Sequence, residues 1–226
     1  MKASSNPAAS AFFELITFAV TEEARPFQNL VGPRSDMRIL LTGIGQRNAE
    51  RAIRGALAQE LPKLVLTCGF AGGLNPELAT GTVVFSSDDS SLSTALQAAG
   101  ARSVKFHCAE KVVATAGEKR ALWQSTGADA VEMESGVIRR ICREHSIPGA
   151  TVRVISDAAH EDLPLDFNRL MDAQQNLSYG KLALALLKSP GKIGPLIKLH
   201  KQTLAAAEKL AEVLVKIISA PRQVQS

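Results

Sequence analysis

Residues 64–73 have the sequence Leu-Val-Leu-Thr-Cys-Gly-Phe-Ala-Gly-Gly, an apolar run followed by closely spaced glycines. The run Leu64–Cys68 is short and apolar, as expected for a strand that is buried on both faces. Ligands bind at the carboxyl ends of such strands in open α/β sheets, where glycine leaves the backbone bare. The segment Cys68–Leu74 is therefore interpreted as the backbone wall of a pocket, with a glycine-rich bend as the structural alternative.

Apolar runs and helical patterns alternate on both sides of this segment. We predict strands at Leu15–Val20, Arg38–Leu41, Leu64–Cys68, Thr82–Phe85, Val104–His107, Ala130–Met133 and Ala150–Ile155. We predict helices at Glu22–Leu30, Asn48–Gln59, Glu118–Gln124, Glu134–His145 and Asp166–Ala173. This alternation is typical of parallel strands joined by crossover helices. No internal repeat or linker divides the chain, so we predict a single α/β domain over residues 1–226.

The C-terminal region from about residue 180 differs from the rest. It predicts a short helix over Leu182–Leu187, a break at Ser189–Gly191 and a long amphipathic helix over Leu196–Ile218. From Lys181 onward it carries eight Lys or Arg residues against two Glu residues. The favoured interpretation is a helix packed on the sheet with a solvated basic face. Peripheral contact with an anionic membrane or a lipid-like substrate is the alternative.

The composition indicates the cellular compartment and the kinds of partner to expect. Hydrophobic residues make up 46% of the chain and the formal net charge is +4, which is ordinary for a globular protein and does not predict a nucleic-acid partner. Three widely spaced cysteines without a Cys-x-x-Cys motif argue against a disulfide framework or a metal site. No run approaches the roughly 20 apolar residues of a spanning helix, and the first residues lack the apolar core of a signal peptide. We therefore expect a cytoplasmic protein.

The segment Ala130–Val137, Ala-Val-Glu-Met-Glu-Ser-Gly-Val, places two glutamates at the end of a predicted buried strand. Burying both without partners is costly, and Arg153 in the next strand is an available partner. A structural interpretation pairs Glu132 with Arg153 and uses Glu134 to cap a helix. That interpretation leaves Asp157, at the end of the strand that carries Arg153, unexplained.

Two other segments follow predicted strands. Thr21–Glu23 begins a helix, and a threonine cap with an acidic first turn is one explanation for it. A general base that faces Asp157 is the other. The turn Thr42–Ala49 carries two glycines before a helix N-terminus, which suits an oxygen-rich ligand as well as a tight connection. It lacks the third glycine of a dinucleotide fingerprint.

In combination these segments resemble the nucleoside phosphorylase and nucleosidase superfamily, which contains methylthioadenosine/S-adenosylhomocysteine nucleosidase. The matching segments, in order, are Thr21–Glu23, Thr42–Ala49, Gly69–Leu74, Ala130–Glu134 and Val152–Asp157. The resemblance implies a three-layer α/β/α fold with a mixed, mostly parallel central sheet. Parts of the stretches Cys108–Leu122 and Leu163–Leu196 resemble the hopanoid-associated phosphorylases, a branch similar to nucleosidases that release adenine from an adenosyl-lipid.

The resemblance implies cleavage of the N-glycosidic bond of a purine nucleoside or adenosyl derivative, without a cofactor. Asp157, oriented by Ser156, is expected to protonate or hydrogen-bond the purine N7, and Glu23 to activate water. Glu134 is expected to accept hydrogen bonds from the ribose hydroxyls. The implied substrate contacts are Phe70, Ala71, Gly72, Val112, Met133, Glu134 and Ser156, and the implied supporting ion pair is Glu132 with Arg153.

Two departures from the family pattern affect which nucleophile attacks and how the purine base is recognised. Phe70 replaces a hydroxyl residue that is common in relatives, and Val112 stands where an aromatic side chain stacks on the base. Gly43 and Arg47, or Arg25, are candidates for a phosphate site. We favour hydrolysis over phosphorolysis, in which phosphate is a co-substrate, and a nucleoside-binding protein without turnover is a further alternative. Relatives are commonly oligomers, so we expect a homo-oligomer.

Overall fold

The computed structural model describes residues 13–172 and 178–219. Its strands are β1 (Glu14–Phe18), β2 (Met37–Leu41), β3 (Leu64–Gly73), β4 (Val83–Ser87), β5 (Arg102–Ser103), β6 (Phe106–Cys108), β7 (Ala130–Glu132) and β8 (Gly149–Asp157). Its helices are α1 (Thr21–Val31), α2 (Gln46–Gln59), α3 (Ser90–Ala98), α4 (Ala116–Thr126), α5 (Ser135–Glu144), α6 (Phe167–Leu170), α7 (Tyr179–Lys188) and α8 (Ile193–Ser219), with a 3₁₀ turn at Pro190–Lys192. In these two ranges, no helix has the length and apolarity needed to cross a bilayer.

The strands form one mixed, mostly parallel sheet, as predicted. The main order is β2-β1-β3-β8-β4-β5, and β6 and β7 extend it from the end of β3. Strand β3 pairs with β1 up to Thr67 and with β7 only from Gly72. Between these positions no described strand lies beside that edge of β3. The sheet therefore splits where a change of neighbour leaves a crevice, the usual place for a ligand in an α/β sheet.

Helices cover both faces of the sheet and complete the predicted three-layer architecture. Ile16 and Phe18 of β1 point into a core cluster shared with α1, α3 and α8. Leu15 of the same strand points into a second cluster shared with α2 and α5. The alternation follows from the two-residue period of a strand, which sends successive side chains to opposite faces.

The long C-terminal helix packs on the sheet over only part of its length. Its second half buries a stripe that runs from Ala206 to Ile217 in the first core cluster, so this part of the helix packs on the sheet. The helix begins at Ile193, three residues before the predicted start. Its first three turns expose Ile193, Ile197 and Leu204.

Two predicted elements are different in the structure, and one helix was not predicted. The predicted strand Val104–His107 overlaps only β6, which pairs with β7; the short strand β5 precedes it and pairs with β4. The predicted helix Asp166–Ala173 is the single turn α6, capped by the Asp166 side chain, and Ala173 lies outside the described residues. Helix α3 was missed although the sequence carries its signals: Leu92, Ala95 and Leu96 recur at helical spacing, and Asp89 caps the helix through a 2.9 Å hydrogen bond from the Leu92 amide.

Candidate active site

A cavity of about 270 Å³ opens at the split in the sheet, at the carboxyl ends of β3 and β8. The structure brings both predicted catalytic residues and every predicted substrate contact to its wall: Glu23, Phe70, Ala71, Gly72, Val112, Met133, Glu134, Ser156 and Asp157. The glycine-rich stretch is not a bend. It continues as strand β3 with an irregularity between Ala71 and Gly72, and so presents backbone to the cavity.

The supporting ion pair lies behind this wall. Arg153 Nη2 is 2.6 Å from Glu132 Oε2, and the side chains are 1% and 0% exposed. Burial opposes ionisation of Glu132, but the guanidinium of Arg153 overrides it and holds the pKa of Glu132 below its ordinary value. Glu132 also accepts hydrogen bonds from the Glu134 and Ser135 amides and the Ser135 hydroxyl, at 3.0, 2.7 and 2.8 Å. Glu134 occupies the N-cap position of α5 but its side chain makes no capping hydrogen bond, so the side-chain capping expected of Glu134 is made by Glu132.

Glu134 is held at the cavity with its charge poorly compensated. Its Oε1 accepts a 2.8 Å hydrogen bond from the Gly45 amide, and its Oε2 is 3.4 Å from Arg153 Nη2. Burial raises the pKa of Glu134 to about 7, against partial compensation by Arg153. A buried carboxylate with spare acceptor capacity suits a ligand that brings hydroxyl donors.

This raised pKa predicts a pH-dependent gain in stability for Glu134→Gln. The pKa of Glu134 is about 7 in the folded protein and 4.5 ordinarily, so the parent protein loses stability as pH rises from about 4.5 to about 7. The variant, whose glutamine stays neutral, does not lose this stability. The melting temperature of the variant relative to the parent is expected to be higher at pH 8 than at pH 5. The exposed Glu110→Gln is the control and should show no such trend; an equal difference for Glu134→Gln at both pH values would contradict the prediction.

Glu23 lies against the unpaired edge of β3. Its carboxylate accepts hydrogen bonds from the Ala19 amide at 2.9 Å and the Phe70 amide at 2.8 Å. Burial raises the pKa of Glu23, and the guanidinium of Arg153 partly offsets this. The approach depends on Gly69, where φ is +143° and an added Cβ would lie 2.6 Å from Glu23 Oε1. Thr21 does not cap α1, because Val20 occupies the cap position.

Asp157 has two polar partners. Its Oδ1 accepts a 2.6 Å hydrogen bond from the Ser156 hydroxyl, and its Oδ2 lies 2.5 Å from Lys119 Nζ. Lys119 is fully buried, and its ammonium also donates to the carbonyls of Ala158 and Glu161, both at 2.8 Å. The ammonium therefore has three oxygen partners, which matches its three N–H groups.

The sequence did not identify Lys119. A lysine on a helix with charged neighbours is normally a solvated residue, and full burial is rare without a partner. The available signal was its spacing of three from Leu122, which places both on the inner face of α4.

The apolar end of the cavity also includes residues that the sequence did not identify. Phe167, Met171 and Leu199 come from α6, the residue after it and α8. Asn168 fixes the opposite wall, because its side-chain amide exchanges two 2.9 Å hydrogen bonds with the Val112 backbone. Little in the sequence indicated either contribution: α6 is only one turn long, and Leu199 lies next to an exposed stripe of α8.

The residues considered for phosphate are placed less favourably. Gly43 is not among the cavity-lining residues, and Arg47 and Arg25 are exposed. Within the described ranges, Lys111 is the basic side chain that lines this cavity. The turn before α2 instead uses its Gly45 amide to hold Glu134.

Comparison with known proteins places the chain in a family. The model of the phosphorylase superfamily matches residues 17–103 and 89–188. A 5′-methylthioadenosine/S-adenosylhomocysteine nucleosidase of Shewanella sediminis is 26% identical over 171 residues, which cover 60% of this chain and 74% of that one. The structures of the futalosine hydrolase and the 5′-methylthioadenosine/S-adenosylhomocysteine nucleosidase of Helicobacter pylori align with TM-scores of 0.69 at 15% and 16% identity, each covering 93% of this chain and 99% of that one. The chain belongs to the phosphorylase superfamily.

Proposed function

We propose that this protein is a nucleosidase that hydrolyses the N-glycosidic bond of a purine nucleoside or adenosyl derivative. The observation that carries the proposal is the position of Glu23, Glu134 and Asp157, three buried carboxylates on the wall of one cavity. Cleavage of a ribosyl–base bond develops positive charge at C1′ and negative charge on the base. Carboxyl groups can stabilise the first and protonate the second. The nucleosidase relatives support this choice.

Asp157 is the proton donor to the leaving base. Asp157 forms an ion pair with Lys119 in the substrate-free protein, so it takes up a proton from solvent when the substrate binds. As the C1′–N9 bond breaks, its electron pair moves to the base, and that proton passes from Asp157 to N7. Ser156 orients the carboxyl group through Oδ1. Lys119, 2.5 Å from Oδ2, compensates the carboxylate charge that forms when the proton leaves, so we assign it a positioning and electrostatic role.

Glu134 binds the ribose and Glu23 supplies the nucleophile. The ionised Glu134 accepts hydrogen bonds from the ribose hydroxyls and favours the cationic sugar, while Met133 packs against the ring. Glu23 takes a proton from water as the oxygen adds to C1′, and its raised pKa makes it a better base than an ordinary glutamate. Arg153, which is paired with Glu132 behind the wall, lies 3.4 Å from Glu134 and helps to hold that carboxylate in place.

Water is the proposed nucleophile rather than phosphate. A phosphate dianion needs several donors or cations, and neither Gly43 nor Arg47 lines the cavity. Phe70 makes the part of the cavity wall beside Glu23 more apolar. The reaction needs no cofactor, because side chains provide both the acid and the base. Phosphorolysis with phosphate as co-substrate is the second candidate, supported by Lys111 at the wall.

The apolar end of the cavity indicates the 5′ substituent. Phe167, Met171 and Leu199 offer aliphatic and aromatic contacts without a charge. We therefore propose a nucleoside with an apolar 5′ group, which includes a lipid-like substituent. The cytoplasm is the proposed compartment because Cys68, Cys108 and Cys142 are all free thiols. A homo-oligomer belongs to the same proposal.

A product assay tests the reaction. The purified protein is incubated with adenosine, inosine, methylthioadenosine, S-adenosylhomocysteine and an adenosine carrying a 5′ alkyl chain, each with and without phosphate. Mass spectrometry identifies the sugar and the base. Free ribose derivative and free base in both conditions are expected. A ribose 1-phosphate that forms only with phosphate would establish phosphorolysis, and binding without base release from any substrate would establish a binding protein.

A further inference from the structure

Large aliphatic side chains are exposed along the helices that follow the cavity. Leu184 and Leu187 of α7 are 52% and 80% exposed, and Ile193, Ile197 and Leu204 of α8 are 45%, 52% and 42% exposed. We refer to the exposed side of residues 178–207 as the C-terminal surface. Single exposed hydrophobic residues are normal on proteins, but a contiguous group marks a place of contact.

The three residues on α8 form one stripe. Ile193, Ile197 and Leu204 are separated by four and seven positions. At about 100° per residue, these spacings place all three within roughly 40° around the helix. The buried stripe of the same helix begins only at Ala206, so the exposed stripe is not an extension of the core contact.

The charge of this surface has one sign. Residues 178–207 contain five lysines and no Asp or Glu. All five lysines, at 181, 188, 192, 198 and 201, are exposed. Lys181 donates to the Met171 carbonyl, and Lys198 is close enough to Glu161 to help lower the pKa of that carboxyl. Lys188, Lys192 and Lys201 form no ion pair within 4 Å with any residue in 13–172 or 178–219. An apolar stripe flanked by exposed cations is typical of helices that lie in the interface of an anionic membrane.

We propose that the C-terminal surface docks on an anionic lipid bilayer. The leucine and isoleucine side chains enter the boundary between headgroups and acyl chains, and the lysines contact lipid phosphates. A second copy of this chain is a poorer occupant, because a two-fold contact would place the same lysines against each other without any carboxylate. A nucleic acid is also poorer, because the groups between the lysines are aliphatic rather than stacking or hydrogen-bonding.

The cavity and the exposed stripe share one segment of α8. Leu199 and Thr203 line the cavity and lie roughly 100–140° around the helix from the centre of the stripe. Docking therefore brings the lipid to a different side of the helix segment that closes the cavity. The docking itself does not depend on the proposed reaction, and its test uses no substrate.

Vesicle flotation with the full-length protein tests the proposal. Vesicles of phosphatidylcholine alone are compared with vesicles that also contain phosphatidylglycerol. Binding to the anionic vesicles is expected, and Lys198→Gln with Lys201→Gln should weaken it by roughly 30-fold at low salt. Lys209→Gln with Lys216→Gln removes the same charge from the same helix outside the surface and should leave binding nearly unchanged.

The apolar contribution is tested separately. Leu187→Ser with Ile197→Ser, both at exposed positions, should weaken binding to anionic vesicles without changing the melting temperature. Absence of vesicle binding, equal binding to neutral vesicles, or equal loss in the two lysine pairs would overturn the proposal. Light scattering in which the Leu187/Ile197 variant loses an oligomer while its vesicle binding is unchanged would assign the surface to a second copy instead.

Discussion

Asp157→Asn is expected to lower kcat by on the order of 10³-fold, because an amide has no acidic proton to give to the departing base. The measurement is single-turnover release of base at saturating substrate. Asp162→Asn is the matched control. Asp162 is exposed in the loop that follows β8 and accepts a 2.7 Å hydrogen bond from the Ala116 amide, which an asparagine oxygen can also accept. Near-parental turnover of Asp157→Asn would remove Asp157 from the role of proton donor.

The same variant is also expected to lose stability. It leaves the ammonium of Lys119 buried without a carboxylate to compensate its charge, and breaking a buried ion pair on one side costs up to about 3–5 kcal/mol. Adding Lys119→Met should recover part of the free energy of unfolding while turnover stays low. Urea unfolding and turnover of the four proteins of this cycle separate the two effects. Recovered turnover in the double variant would show that the ion pair is structural and Asp157 is not the acid.

Glu23→Gln is expected to lower kcat for hydrolysis by on the order of 10²–10⁴-fold, because the amide cannot take a proton from water. The affinity for the free base should change little, since the base lies near Asp157 in the proposed arrangement. Glu22→Gln is the matched control, as the neighbouring residue is exposed. The measurements are base release and, separately, binding of adenine by calorimetry.

Two results would contradict the role of Glu23. Retained hydrolysis in Glu23→Gln would exclude Glu23 as the general base that activates water. Loss of hydrolysis together with full phosphate-dependent turnover would show that phosphate, which is already anionic, is the nucleophile of the natural reaction. A melting temperature close to that of the parent is needed for either conclusion, because Glu23 also accepts the Ala19 and Phe70 amides.

The position of the candidate site was predictable from the sequence because it depends on local patterns. Glu23 and Asp157 follow β1 and β8, which run parallel to β3, and the carboxyl ends of parallel strands meet at one edge of a sheet. Glu134 follows β7, which pairs antiparallel with β3, so this rule did not determine its place. The pairing of Glu132 with Arg153 was predictable because neither charge is tolerated alone in a buried strand. The roles of these residues in the reaction stay predictions.

Other features could not be predicted because they depend on which elements become neighbours. The stretch Val104–His107 predicts one strand, but only its second half belongs to β6, and the residues just before it form β5 against a different strand. The glycines of β3 gave no local sign that the strand would continue past Cys68 and change its neighbour from β1 to β7. Glu134 occupies the N-cap position of α5, but the side chain that accepts the amide at this helix start is that of Glu132, because Glu134 turns to the Gly45 amide instead.

The sequence by itself determined the alternation of strands and helices, the strand ends that carry carboxylates and the basic character of the C-terminal helices. These are consequences of periodicity, residue type and chain order, all of which are local. Only the tertiary structure decided that Lys119 is buried against Asp157, that Gly69 makes room for Glu23 and that an apolar stripe of α8 stays uncovered beside the cavity. The reason is that burial, charge compensation and exposure are properties of a residue's neighbours in space, and residues far apart in the chain become neighbours only when the sheet and its helices pack.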